Sequence, residues 1–95
     1  MEELELKPQK QWDKKWRFFI FDIPEKERSR RDMIRGTLKR LGLYNIQRSV
    51  FAYPYDCRKE LEYISDFYGV GKYSTFMEGD YIDIDKELRR HFRLS

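Results

Sequence analysis

The longest apolar stretch of the chain, Trp16-Arg17-Phe18-Phe19-Ile20-Phe21, is closed off by Asp22, Ile23 and Pro24. It is aromatic and β-branched and too short for a stable isolated helix. Pro24 has no N–H with which to continue a central ladder, so the pattern predicts a core strand ending at Asp22. Over residues 25–41 the period lengthens: Ile34, Leu38 and Leu41 recur at helical spacing, flanked by Met33 and Thr37 and stopped by Gly42. That spacing predicts an amphipathic helix with an arginine-rich outer face.

Beyond Gly42, the residues Tyr44, Ile46, Val50, Phe51 and Tyr53 favour pleated structure on either side of Gln47-Arg48-Ser49, which predicts a hairpin. Pro54 ends it and Asp56 is placed as an N-cap. Leu61, Ile64, Phe67 and Tyr68 then form a second helical stripe that stops at Gly69, with Cys57 and Tyr63 extending its buried face. A turn at Gly69-Val70-Gly71 leads to a strand over 72–77, a turn at Glu78-Gly79-Asp80 and a short strand over 81–84. Asp85 is positioned to cap a last helical turn running to Phe92. The order is strand, helix, strand, strand, helix, strand with an added C-terminal piece. It predicts an α+β, ferredoxin-like split βαβ sandwich (βαββαβ) with an extra C-terminal strand or short helix. Residues 1–15, polar and broken by Pro8, read as a tail or linker that Trp12 and Trp16 pin to the core. Residues 16–95 read as the domain.

Ninety-five residues suit one domain. A chain of this size buries only about 60–65% of its unfolded surface, so a dimer interface would add useful burial. With 40% hydrophobic, 17% aromatic and 39% charged residues, the chain has material for a core and a heavily charged exterior, as a soluble folded protein requires. No apolar run approaches the roughly 20 residues of a membrane span, and the acidic start Met1-Glu2-Glu3-Leu4-Glu5 lacks a signal-peptide core, so a cytoplasmic, membrane-free protein is expected. Cys57 is the sole cysteine and His91 the sole histidine, which excludes an internal disulfide and leaves a Cys/His zinc site to several chains together.

The net charge of +3 hides an uneven distribution. Lys26, Arg28, Arg30, Arg31, Arg35, Lys39 and Arg40 face only Glu27 and Asp32, whereas Glu78, Asp80, Asp83, Asp85 and Glu87 crowd the other end. Arg28, Arg31, Arg35 and Lys39 recur every three or four residues and line one side of the first helix, with Arg30 widening the stripe. Such a face neutralises phosphates without reading bases, or is simply solvated. Asp22 at the strand mouth can ligate a metal, cap the following helix or face solvent. Glu25 compensates the helix N-terminus, and Ser49 either touches phosphate or completes the hairpin turn. Tyr44, Tyr53, Tyr55 and Tyr73 either stack on single-stranded bases or cover the open sheet face or a dimer interface. Asp80, Asp83 and Asp85 lack the ligand count and glycine placement of a calcium loop.

Several of these residues carry a resemblance. Phe21-Asp22-Ile23-Pro24, Arg30-Arg31, Leu41-Gly42 and Gln47-Arg48-Ser49-Val50-Phe51, covering roughly residues 16–77, resemble the small CRISPR-associated endonuclease family (Cas two). That resemblance implies a homodimer whose C-terminal strand, here 81–84, crosses to the partner sheet. It implies duplex DNA held by the arginine-bearing helices for a CRISPR integrase partner during spacer acquisition in antiviral defence. It also implies Asp22 as the catalytic residue and Mg2+ ligand of a metal-dependent endonuclease, paired with its counterpart across a two-fold axis because one carboxylate binds magnesium weakly. Two further segments, Trp12-Asp13-Lys14-Lys15-Trp16-Arg17 and Pro54-Tyr55-Asp56-Cys57, resemble the central, Cas-two-like domain of PaaX-type transcriptional repressors. A winged-helix DNA reader precedes that domain in the repressors, and thirteen residues leave no room for one, which points to a freestanding relative or a piece of a longer repressor. This second resemblance implies a module that pairs DNA readers or senses a ligand. Chain length places the spacer-acquisition adaptor first, and the segments around Trp12 and Pro54 favour the regulator.

Overall fold

In a computed structural model of the chain, which describes residues 4–94, strand β1 (Trp16–Phe21) is buried on both of its faces. Phe19 and Phe21 point to one side and Trp16 and Phe18 to the other, and none is more than 8% exposed. A strand whose apolar residues run on without alternation needs a cover on each side, and the rest of the chain supplies two.

A 3-10 turn at Glu25–Glu27 leads into α1 (Arg28–Arg40). Next come β2 (Tyr44–Gln47), β3 (Val50–Tyr53) and α2 (Arg58–Phe67). A second 3-10 turn at Gly71–Tyr73 precedes β4 (Ser74–Gly79), and α3 (Asp85–His91) closes the described chain. The sheet runs β2-β3-β1-β4 with every neighbour antiparallel. This is the expected ferredoxin-like arrangement, with β2 and β4 at the edges.

On the first face, Phe19, Phe21 and Phe51 meet Ile34 and Leu38 of α1 and Leu61 and Ile64 of α2. On the second face, Trp16, Phe18 and Ala52 meet Leu88 of α3, with Ile82, Ile84 and Phe92 packed around them. The strand expected over 81–84 is therefore absent. Tyr81-Ile82-Asp83-Ile84 is irregular, and the amide of Asp85 donates to the carbonyl of Ile82 at 3.0 Å to start α3. Its isoleucines anchor a helix to the open face of the sheet instead of extending an edge. Likewise, Glu78 and Gly79 lie inside β4 and not in a turn, because Trp16 and Arg17 hold them in register.

Both expected glycine stops hold. At Gly69 the backbone is left-handed (φ +69°), the conformation that favours glycine after a helix. The segment before β1 is more than a tail: Leu4 and Leu6 pack against the core on the α1/α2 side, and Trp12 packs on the α3 side.

Candidate functional site

Arg17 sits directly across the sheet from Glu78 on one side and Tyr53 on the other. Its side chain is only 12% exposed, and its guanidinium gathers acceptors from three parts of the chain. Nη1 and Nη2 donate to the two carboxylate oxygens of Asp13 at 2.9 and 2.6 Å, a forked pair. Nε donates to Glu78 at 3.1 Å, and Nη1 also reaches the carbonyls of Lys15 (3.1 Å) and Pro54 (2.8 Å). Asp13 in turn accepts the Lys15 amide at 3.0 Å. The Arg17 hydrogen bonds hold the Asp13 carboxyl below the usual carboxylate range, and Asp13 raises Arg17 in return.

A second set of contacts ties this cluster to α3. The indole N–H of Trp12 donates to the Lys15 carbonyl at 2.9 Å, the Trp12 and Trp16 rings lie 4.7 Å apart, and the Arg89 guanidinium lies 4.7 Å over Trp12. Trp16, fully buried, donates its indole N–H to Asp85 at 2.9 Å, and Arg89 donates to the other Asp85 oxygen at 2.6 Å. Asp85 is thus the first residue of α3 and the acceptor for a buried donor, where the sequence placed it as a cap. The Trp16 hydrogen bond, then Arg89, lowers its pKa. A carboxyl lowered on folding stabilises the native state above about pH 4 and loses that contribution as pH falls through its native pKa. The melting-temperature advantage of the wild type over Asp85→Asn is therefore expected at neutral pH and should shrink steadily below about pH 4. A difference unchanged down to pH 2.5 would contradict the assignment.

The residues expected at a nucleic-acid face share their end of α1 with nearby carboxylates. Glu25 accepts from Arg28 (3.2 Å) and Arg31 (3.1 Å), and these arginines lower its pKa, Arg31 most. Arg31 is turned inward, 13% exposed, with its Nε buried and lacking a hydrogen-bond partner. Arg30 pairs with Glu27 at 3.4 Å, and Arg35 donates to the Arg48 carbonyl. Lys39 is exposed, and no ion pair holds it among the described residues. Three cations of the basic stripe, Arg28, Arg30 and Arg31, are thus answered by the carboxylates just ahead of α1, whereas Arg35 and Lys39 have no carboxylate partner among the described residues.

Asp22 is exposed at the end of β1, and its amide donates to the Tyr73 carbonyl at 2.9 Å. Among the described residues no three His, Cys, Asp or Glu side chains come together as a metal-holding group. Within one chain Asp22 brings a single exposed carboxylate to the Mg2+ site expected between two protomers. Ser49 completes the hairpin, its carbonyl accepting the Phe21 amide at 3.1 Å. Of the four tyrosines, Tyr53 is buried at 6% exposure, while Tyr44, Tyr55 and Tyr73 are half-buried. The large apolar side chains left exposed are Met33, Tyr63, Phe67, Met77 and Tyr81. Burial pushes the Cys57 thiol up to about 12, which leaves it protonated and inert at neutral pH.

The two-faced α+β sheet, with the segment clamped by Arg17 and the helix latched by Asp85, is the architecture of a Cas2-like domain. Residues 9–91 match the family described as the PaaX protein central Cas2-like domain, and the chain belongs to that family. No curated protein matches the sequence. Among the described residues no helix is long and apolar enough to cross a membrane.

Proposed function

We propose that this chain is the regulatory module of a PaaX-type transcriptional regulator. It pairs with a second copy of itself and holds the segment ahead of β1 at a fixed angle, so that a DNA reader attached there is presented in a defined orientation. One observation carries the reading. The two segments that set the PaaX-type resemblance apart, around Trp12–Arg17 and Pro54–Cys57, meet at the Arg17 guanidinium. A planar, five-donor side chain that is mostly buried and bonded to several acceptors fixes direction as well as position. Adjoining segments move with it as one body.

Pairing is assigned to the free edge of β4. That strand has a neighbour on one side only, and Met77 and Tyr81 lie exposed along and just beyond it. An open row of backbone groups beside apolar side chains is a template for a second strand. Because 81–84 folds back onto its own sheet, nothing in that segment covers the edge.

The adaptor reading, with duplex DNA held on α1 for an integrase and Mg2+ on Asp22 of two protomers, is the competing account. It loses support where Arg28, Arg30 and Arg31 are already paired with Glu25 and Glu27. A salt series with a short duplex separates the two. The chain alone is expected to bind weakly and with a shallow salt slope. Tight binding whose slope flattens in Arg31→Ala or Arg35→Ala, with magnesium-dependent cutting abolished by Asp22→Ala, would favour the adaptor instead.

A further inference from the structure

We propose that the hollow between the segment ahead of β1 and the end of α3 is a binding site for a small phosphate-bearing molecule. Lys10, Lys14 and Arg93 carry its charge, Trp12 and Leu94 its apolar wall, and Tyr55 its hydroxyl. The hollow measures about 400 Å³, within the range that holds a small ligand, and among the described residues no acidic side chain lines it. Among the described residues none of the three cations has an ion-pair partner, in contrast to the arginines at the start of α1. The nearest acid in sequence, Asp13, is turned toward Arg17.

The backbone supplies a second, independent observation. Lys14 (φ 66°) and Arg93 (φ 57°) are the non-glycine residues with left-handed backbone among the described residues, and both line this one hollow. Arg93 follows the end of α3. Its amide donates to the Arg90 carbonyl at 3.2 Å and the next amide, of Leu94, donates to the Arg89 carbonyl at 2.8 Å. That bonding closes a helix in the manner for which glycine is strongly favoured, as at Gly42 and Gly69 in this chain. Stability alone would place glycine or asparagine at both positions. The chain instead places cations there and bears the strain, the usual mark of a site shaped for use.

Three positive charges around one hollow, one of them a forked guanidinium, suit a ligand with two or more negative charges, so a phosphate fits better than a single carboxylate. The apolar wall adds contact for an organic group carried on that phosphate. The site goes beyond the pairing role and is measured separately from it, since binding to the chain can be followed whatever its oligomeric state.

The test titrates the whole chain with inorganic pyrophosphate and with 1-naphthyl phosphate, following protein NMR shifts at the residues of the hollow. Saturable binding is expected for both, at least tenfold tighter for the aryl phosphate than for 1-naphthoate. Arg93→Gly and Lys14→Gly should each weaken binding by tenfold or more while raising the melting temperature by about 4 °C, because each relieves left-handed strain. A gain in melting temperature rules out misfolding as the cause of lost binding. The proposal is overturned if neither probe saturates at millimolar concentration, or if both glycine variants bind as the wild type does. It is overturned as well if a short duplex binds at these residues while the small phosphates do not.

Discussion

Replacing Arg17 with alanine is expected to lower stability by about 3 kcal/mol and to free the segment ahead of β1. Four acceptor groups lose the Arg17 guanidinium at once, the Asp13 and Glu78 carboxylates and the carbonyls of Lys15 and Pro54, though Asp13 keeps the Lys15 amide and the Lys15 carbonyl keeps the Trp12 indole. Hydrogen bonds to charged groups contribute about 1.5–3 kcal/mol each when shielded from water. Asp13 and Glu78 are half exposed, so their share is discounted, and most of the loss comes from the part-buried Pro54 carbonyl left without this donor and from the lost packing of the Arg17 side chain. Arg17→Lys keeps the charge but loses the fork, and should recover less than half of the difference. Denaturant melts measure the stability, and amide exchange at Lys15, whose N–H donates to Asp13, reports the segment. If exchange at Lys15 is unchanged in Arg17→Ala, the clamp does not exist.

Leu88→Ala should be of comparable or greater severity, about 2–5 kcal/mol for a fully buried leucine. For a domain of this size, whose whole stability lies within about 5–15 kcal/mol, that is a large fraction. The reason lies in the length of α3. Seven residues cannot sustain a helix in water, so α3 exists because Leu88 docks it on Trp16, Phe18 and Ala52. Without that contact the second sheet face is uncovered. Trp16 should become solvated, seen as a red shift in tryptophan emission, and a hydrophobic dye should bind. Leu88→Met, which nearly conserves volume, should behave like the wild type within about 1.5 kcal/mol. Unaltered emission in Leu88→Ala would mean that the second face is covered by something other than α3.

The elements up to β3 were legible because their periods are clean: a run without alternation for β1, helical spacing with a glycine stop for α1, and a polar turn between two stretches of aromatic and β-branched residues for β2 and β3. Tyr81-Ile82-Asp83-Ile84 misled because a period of two over four residues fits a strand as well as two anchoring side chains. The wider spacing Ile84, Leu88, Phe92, one helical stripe, favours the second choice. So does the doubly apolar character of β1, which demands a cover on each face. Which charges pair was harder to read than the pattern. Counting basic residues on α1 showed an excess, yet Glu25 and Glu27 stand one turn before it and reach back to Arg28, Arg30 and Arg31. Sequence spacing cannot show which way a guanidinium folds. Arg17 was hidden inside the apolar run, and the Asp13-to-Arg17 spacing of four residues was the one local signal of its partner.

Sedimentation of the purified chain over a concentration series, beside the variant Met77→Lys/Tyr81→Ser, tests the pairing role most directly. The wild type is predicted to sediment as a dimer, at twice the 11.8 kDa of one chain, and the variant as a folded monomer. A wild-type chain that remains monomeric at about 100 μM, or a variant that dimerises as well as the wild type, would contradict the assignment of the β4 edge to a second copy.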